Sequence, residues 1–186
     1  MQVARKITGV RVWSQHFDHA QKFADQASTG HIIPIRAFDT VKKAVDGADI
    51  ICTVSSATEP ILQGDWISAG THINAVGSSV AFARELDTAA VVNSTLFVDR
   101  EESTLNEAGD FLFPKKEGAI DDGHIRGEIG DILLDRIGGR ESSAEITLFK
   151  SLGLAVEDVA AAHYIYQKML KHKEGMWTEF GPLKSE

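Results

Sequence analysis

The chain has 186 residues, with 19 Lys and Arg against 27 Asp and Glu, a formal charge of −8 and a single Cys; 43% of it is apolar. That length and apolar content suit one domain or one and a half. The acidic balance and absence of a Lys/Arg block exclude nucleic-acid or anionic-membrane binding, and the lone Cys excludes a disulfide framework or Cys-rich zinc site. Without a signal-peptide stretch, or any apolar run near the roughly 18 residues of a membrane span, a cytoplasmic globular protein is expected.

Residues 1–9 read as the end of a helix. Val10–Trp13 is a predicted strand. A helix follows from His19 to Ala27, with Asp18 as its cap and Ala20, Phe23 and Ala24 on one side. His31–Ile35 is a short extended run, and Thr40 caps a second helix to Val45 that Gly47 stops. Ile50–Val54 is β-branched and apolar almost throughout, the pattern of a strand covered on both faces. Thr71–Val76 and Thr95–Asp99 are two more strands. Strands separated by helix-length segments imply a doubly wound parallel α/β sheet of Rossmann-like type. Beyond it, Glu101–Ala108 reads as a helix, Phe111–Gly123 as a loop and Glu128–Ile137 as a helix ended by Gly138 and Gly139. A long helix spans Leu154–His172, its last turn basic as the helix dipole prefers. In the tail after Gly175, Trp177 and Phe180 are candidates for packing.

In parallel sheets ligands bind beyond the carboxyl ends of the strands. Three such ends carry small hydroxyl residues: Ser14-Gln15-His16, Ser55-Ser56-Ala57-Thr58 and Gly77-Ser78-Ser79. Singly, such residues make turns and caps; together they suit a ligand with phosphates and an amide. No G-x-G-x-x-G phosphate cradle is present, a deficit for any dinucleotide reading. His16 and His19, at i and i+3, lack a third metal ligand. His72 reads as a satisfied core histidine, and Glu157, Asp158 and His163 as a polar helix face. No G-x-S-x-G elbow supports a serine nucleophile.

Several stretches carry a resemblance: Thr53–Leu62, Gly70–Ser79, Arg84–Asp87, Gly127–Asp131, Thr147–Gly153 and Ala155–Ala162. In this order they resemble the ornithine cyclodeaminase/mu-crystallin family, and within it the ketimine reductase branch. The resemblance implies a Rossmann domain that binds NADPH, with NADH as the alternative, and a second domain that supplies substrate contacts and a homodimer interface. Residues 1–145 would be a partial Rossmann domain that starts after its first strand and Gly-rich turn. Residues 146–174 would be the segment and helix that return to the second domain, whose N-terminal portion would be absent, and 175–186 a tail.

Carried over by position, Ser14, Gln15 and His16 would face the adenine ribose, with Gln15 where NADP-type members place an Arg. Thr53, Val54, Ser55 and Thr58 would run beside the pyrophosphate and nicotinamide ribose. Val76, Ser78 and Ser151 would border the nicotinamide, and Glu107 would lie near the substrate. Ser79 stands where cyclodeaminases carry an Asp that handles the amine proton and activates water. A hydroxyl there points towards reduction of a preformed cyclic imine carboxylate and away from cyclodeamination or amino-acid dehydrogenation. A non-catalytic binding protein, with a thyroid-hormone-like ligand, and an inactive truncated product are the remaining readings.

Overall fold

The computed structural model describes residues 5–30, 32–176 and 178. The chain divides into two units, residues 1–152 and 153–186. The first runs β1 (Val10–Trp13), α1 (Phe17–Ser28), β2 (Ile35–Phe38), α2 (Val41–Val45), β3 (Ile50–Thr53), β4 (His72–Ala75), α3 (Thr88–Val92), β5 (Thr95–Val98), α4 (Glu101–Glu107), α5 (Gly109–Lys116), β6 (Ile125–Glu128), α6 (Ile129–Leu133) and β7 (Thr147–Lys150). The second contains α7 (Ala155–His172), none of whose described side chains is buried.

Every strand pair is parallel. β1 pairs with β2, and the other strands form a five-stranded sheet ordered β3-β4-β7-β5-β6. The register sorts the side chains into two faces, because successive residues of a strand point to opposite sides. Ile51, Ile73, Leu148 and Leu96 stand in one row across four strands and are 0–6% exposed. They pack with Leu62, Leu86, Val91 and Phe111 into the core. Burying each such side chain contributes about 1.5–3 kcal/mol. On the other face the row Cys52, Asn74, Phe149 and Phe97 is less covered: Cys52 is exposed and Asn74 and Phe149 are half-buried.

Asp87 joins two elements over this core. Its Oδ1 accepts from Ala90 N at 2.8 Å, capping α3, and from Gly64 N at 2.9 Å, opening the short 3-10 turn Gly64–Trp66. Asp87→Ala is expected to cost about 1–2 kcal/mol, with Asp87→Asn retaining most of it, as read by urea unfolding.

The α/β fold with parallel strands is the expected one, with differences in detail. Residues 5–9 form no helix. α1 starts at Phe17 with His16 as N-cap, so Asp18 lies in the first turn, where its charge still favours the dipole. Ala20 and Ala24 are buried as expected, but Phe23 is 54% exposed. Thr40 does cap α2, its side chain accepting from Lys43 N at 3.4 Å, and Gly47 takes φ +62°. The extended run near Ile35 is displaced forward to β2.

The expected loop at 111–123 is half helix. α5 incorporates Pro114, and Phe111 at 1% exposure anchors it in the core. The missing proline N–H removes one helical bond, which that burial outweighs. Within 128–137 only Ile129–Leu133 is helical, because Glu128 closes β6. β6 and β7 are strands that patterning does not reveal. His31, Trp177 and Phe180 lie outside the described residues. Among the described residues no helix is long and apolar enough to cross a membrane.

Candidate functional site

Thr53, Ala75, Lys150 and Val98 form the last paired row at the carboxyl ends of β3, β4, β7 and β5. Beyond it the backbones continue to satisfy one another. Val76 N and Gly77 N both donate to Thr53 O, at 2.9 and 3.1 Å, and Ser78 N donates to Ser55 O at 3.1 Å. Ser151 N donates to Ala75 O at 3.0 Å. Thr53, Ser55, Val76, Ser78 and Ser151 therefore converge on one end of the sheet. Ser78 is a non-glycine residue at φ +49°, a strained conformation, and its Oγ donates to Ala57 O.

Ser14, Gln15 and His16 follow the carboxyl end of β1. They line the same cavity as Thr53, Val54, Ser55 and Thr58, a space of about 2650 Å³ that also reaches Cys52, His72 and Asn74. Ser14 is half-buried, and Gln15, His16 and Thr58 are exposed. The His16 and His19 rings meet edge-on at 5.2 Å, and among the described residues no cluster of three potential metal ligands occurs. Ser79 is exposed beside buried Ser78. Glu107 is exposed at the end of α4 and does not line the cavity.

Two features describe how tightly these loops pack, and Val76, Gly77, Ser78 and Ser151 do not line the cavity. Thr53 Oγ1 is buried and has no hydrogen-bond partner among the described residues. A Cβ at Gly77 would stand 2.2 Å from Ser55 O and 2.6 Å from the Glu85 carboxyl, so only glycine fits. Val54 and Val76, at 73% and 45% exposure, add apolar surface to these loops.

Beneath the loops lies a charged group that strand-end motifs did not disclose. Lys150, 1% exposed on the covered face, places Nζ 2.9 Å from Asp110 Oδ2 and donates to Gly77 O at 2.8 Å. Asp110 Oδ1 accepts from Glu85 N and Leu86 N at 2.8 and 2.9 Å. Glu85, fully buried, accepts from Ser55 N at 2.5 Å through Oε1. Each of these residues reads alone as an ordinary surface charge. The only local signal is a charged side chain set among apolar ones, as in Leu148-Phe149-Lys150 and Ala83-Arg84-Glu85-Leu86.

At the opposite end of the sheet, His72 Nδ1 lies 2.8 Å from Thr147 Oγ1, which also accepts from Arg140 at 2.9 Å. The direction of the Nδ1–hydroxyl bond follows the tautomer of the ring. Burial lowers the His72 pKa from its ordinary value, only partly opposed by Asn74. A folded-state pKa below about 6.5 means that the unfolded chain binds a proton first as pH falls. Stability is therefore flat above that value and declines below it, until the folded-state pKa is passed. His72→Gln is expected to reduce the difference in unfolding free energy between pH 7.5 and about 5.5, as measured by urea titration. Glu117 and Glu145, held below the usual carboxylate range chiefly by the hydroxyls of Thr88 and Thr95, titrate beneath that window.

A parallel α/β sheet with hydroxyl-bearing loops gathered at its carboxyl end has the form of a Rossmann-type domain. The sequence profile of the ornithine cyclodeaminase/mu-crystallin family matches residues 1–173, and the chain belongs to that family. It is 38% identical over 168 residues to a Delta(1)-pyrroline-2-carboxylate reductase of Colwellia psychrerythraea, covering 89% of this chain and 52% of that protein. To the ketimine reductase mu-crystallin of Mus musculus it is 40% identical over 158 residues, 84% of this chain and 46% of the other. Thermococcus litoralis Delta(1)-pyrroline-2-carboxylate reductase, solved in complex with NADH and L-proline, superposes with a TM-score of 0.90 at 42% identity. That match covers 95% of this chain and 55% of the archaeal one. The chain thus spans about half the length of the relatives it matches.

Proposed function

We propose that this chain is the nucleotide-binding portion of an NAD(P)H-dependent reductase acting on small cyclic imine carboxylates. The observation that carries the reading is the crevice at the carboxyl ends of β1 and β3, lined together by Ser14, Gln15, His16, Thr53, Ser55 and Thr58. A dinucleotide fits such a crevice, because its riboses, phosphates and amide take hydrogen bonds from hydroxyls that follow two parallel strands. The relatives' reductase activity and the NADH in the archaeal structure support the same reading.

Bound nicotinamide would supply the hydride for the imine carbon. The chain's residues hold and orient it. Thr53, Ser55 and Thr58 offer hydroxyls along one side, Ser78 and Ser151 fix the loops on the other, and Val54 and Val76 shed water from the face. Ser79 is exposed where a cyclodeaminase-type Asp would act, and a hydroxyl does not serve as a base near pH 7. Reduction of a preformed imine asks less of that position. NADPH is the preferred cofactor, since Ser14, Gln15 and His16 bring no carboxylate to hold a ribose 2′-hydroxyl or repel a 2′-phosphate.

The phosphate cradle has a natural place. Among the described residues β1 pairs only with β2 and β3 only with β4, and both free edges border the same cavity. One parallel strand inserted between them would join the two sheets in the order β2-β1-x-β3-β4-β7-β5-β6. Its carboxyl end would lie between Ser14 and Thr53, at the switch point where such folds bind pyrophosphate. In this reading residues 1–145 are part of a Rossmann domain, residues 146–174 lead towards a second domain of a longer protein, and 175–186 form a tail.

The direct test titrates the chain with NADPH and NADH and follows energy transfer from its Trp residues. Saturable quenching, tighter for NADPH, is expected. No quenching up to millimolar cofactor would reject nucleotide binding by this chain. Where binding is found, Delta(1)-pyrroline-2-carboxylate added to a longer form that supplies the strand should consume the reduced-nicotinamide absorbance.

A further inference from the structure

We propose that Glu85, Asp110 and Lys150 are positioning residues: a buried charged frame that sets the conformation of the loops after β3, β4 and β7. The inference rests on the cofactor reading for its purpose, but not for its geometry.

Strand pairing ends at the Thr53–Ala75–Lys150 row, and the backbone groups that follow need other partners. Four of them receive side-chain partners from this one group. Ser55 N is bound by Glu85, Glu85 N and Leu86 N by Asp110, and Gly77 O by Lys150. Asp110 links the other two, since it is bound both to the Glu85 backbone and to the Lys150 ammonium. One contact runs to each of two loops, from Glu85 to the β3 loop and from Lys150 to the β4 loop, and Lys150 itself is the residue from which the β7 loop departs.

An apolar group of equal volume would fill the same space. Two carboxylates and an ammonium buried at 0–2% exposure carry a desolvation cost that packing alone does not repay. Glu85 Oε2 even lacks a hydrogen-bond partner among the described residues. What the charges provide, and an apolar cluster would not, is direction: fixed bonds to loop backbone at specified atoms. Gly77 shows how close the fit is, since a Cβ there would meet the Glu85 carboxyl and Ser55 O together.

The test compares Glu85→Leu, which removes the acceptor at similar volume, with Glu85→Gln, which keeps an oxygen for Ser55 N. Amide hydrogen exchange is read residue by residue. In Glu85→Leu the Ser55 and Ser78 amides are expected to exchange at least about 100-fold faster, while the core-strand amides of Ile73, Leu96 and Leu148 change by less than about threefold. Glu85→Gln restores most of the Ser55 protection. Equal acceleration of loop and core amides, loss of the fold in Glu85→Leu, or unchanged loop amides would each overturn the proposal. NADPH titration of the same variants separates the two readings. A parent chain that binds no NADPH removes the cofactor reading, while exchange still decides whether the frame positions the loops.

Discussion

Lys150→Met destabilises the chain by about 3–5 kcal/mol, the cost of leaving a buried charge without its counterion. The ammonium is the only cation in contact with Asp110 among the described ion pairs, and both side chains are 1–2% exposed. Among the described residues Asp110 Oδ2 has no hydrogen-bond partner besides this ion pair, so the substitution would leave its buried charge uncompensated. Gly77 O would lose its donor as well. For a unit of about 150 residues the loss corresponds to a melting point lower by roughly 6–20 °C. Urea unfolding measures it directly. Lys150→Met combined with Asp110→Asn is expected to recover more than half of the loss. The asparagine still accepts from Glu85 N and Leu86 N, but brings no charge that needs pairing. A double variant no more stable than the single one would mean that the loss comes from lysine packing and not from the stranded charge.

This lysine also shows where reading from sequence stops. β1, β3, β4 and β5 announce themselves because Val10–Trp13, Ile50–Thr53, His72–Ala75 and Thr95–Val98 have β-branched residues bounded by turns. β7 contains a Lys and lies some fifty residues after β5 in the chain, yet it is inserted between β4 and β5 at the centre of the sheet. Only the register reveals that its charge points into the core. β6 carries Arg126, Gly127 and Glu128, a composition that suits an edge strand and hides it from hydrophobic patterning. α5 was masked by Pro114 and two glycines, while the burial that stabilises it depends on partners distant in sequence. The hydroxyls of the candidate site stand out in the sequence because they follow directly on apolar runs. The frame beneath them was not, since Glu85, Asp110 and Lys150 come from three separate segments and no spacing links them.

Gly77→Ala tests the packing of the β3 and β4 loops against each other. The new methyl would lie 2.2 Å from Ser55 O and 2.6 Å from the Glu85 carboxyl, well inside van der Waals contact. Neither neighbour yields easily. Ser55 O accepts from Ser78 N, and the Glu85 carboxyl accepts from Ser55 N in a fully buried site. Relief therefore requires the β3 and β4 loops to part, breaking at least one of those bonds. Overpacking of this kind costs about 1–3 kcal/mol in stability, and more where only backbone can move. The larger effect falls on binding, because the loops that separate are those that carry Thr53, Ser55, Val76 and Ser78. NADPH affinity is expected to drop at least about a hundredfold, equivalent to about 2.8 kcal/mol. Gly130→Ala supplies the control: its Cβ meets nothing within 4 Å, and in helix α6 an alanine should add about 0.5–1 kcal/mol of stability without touching affinity. If Gly77→Ala bound NADPH as the parent chain does, the cofactor would have to lie elsewhere than against these two loops.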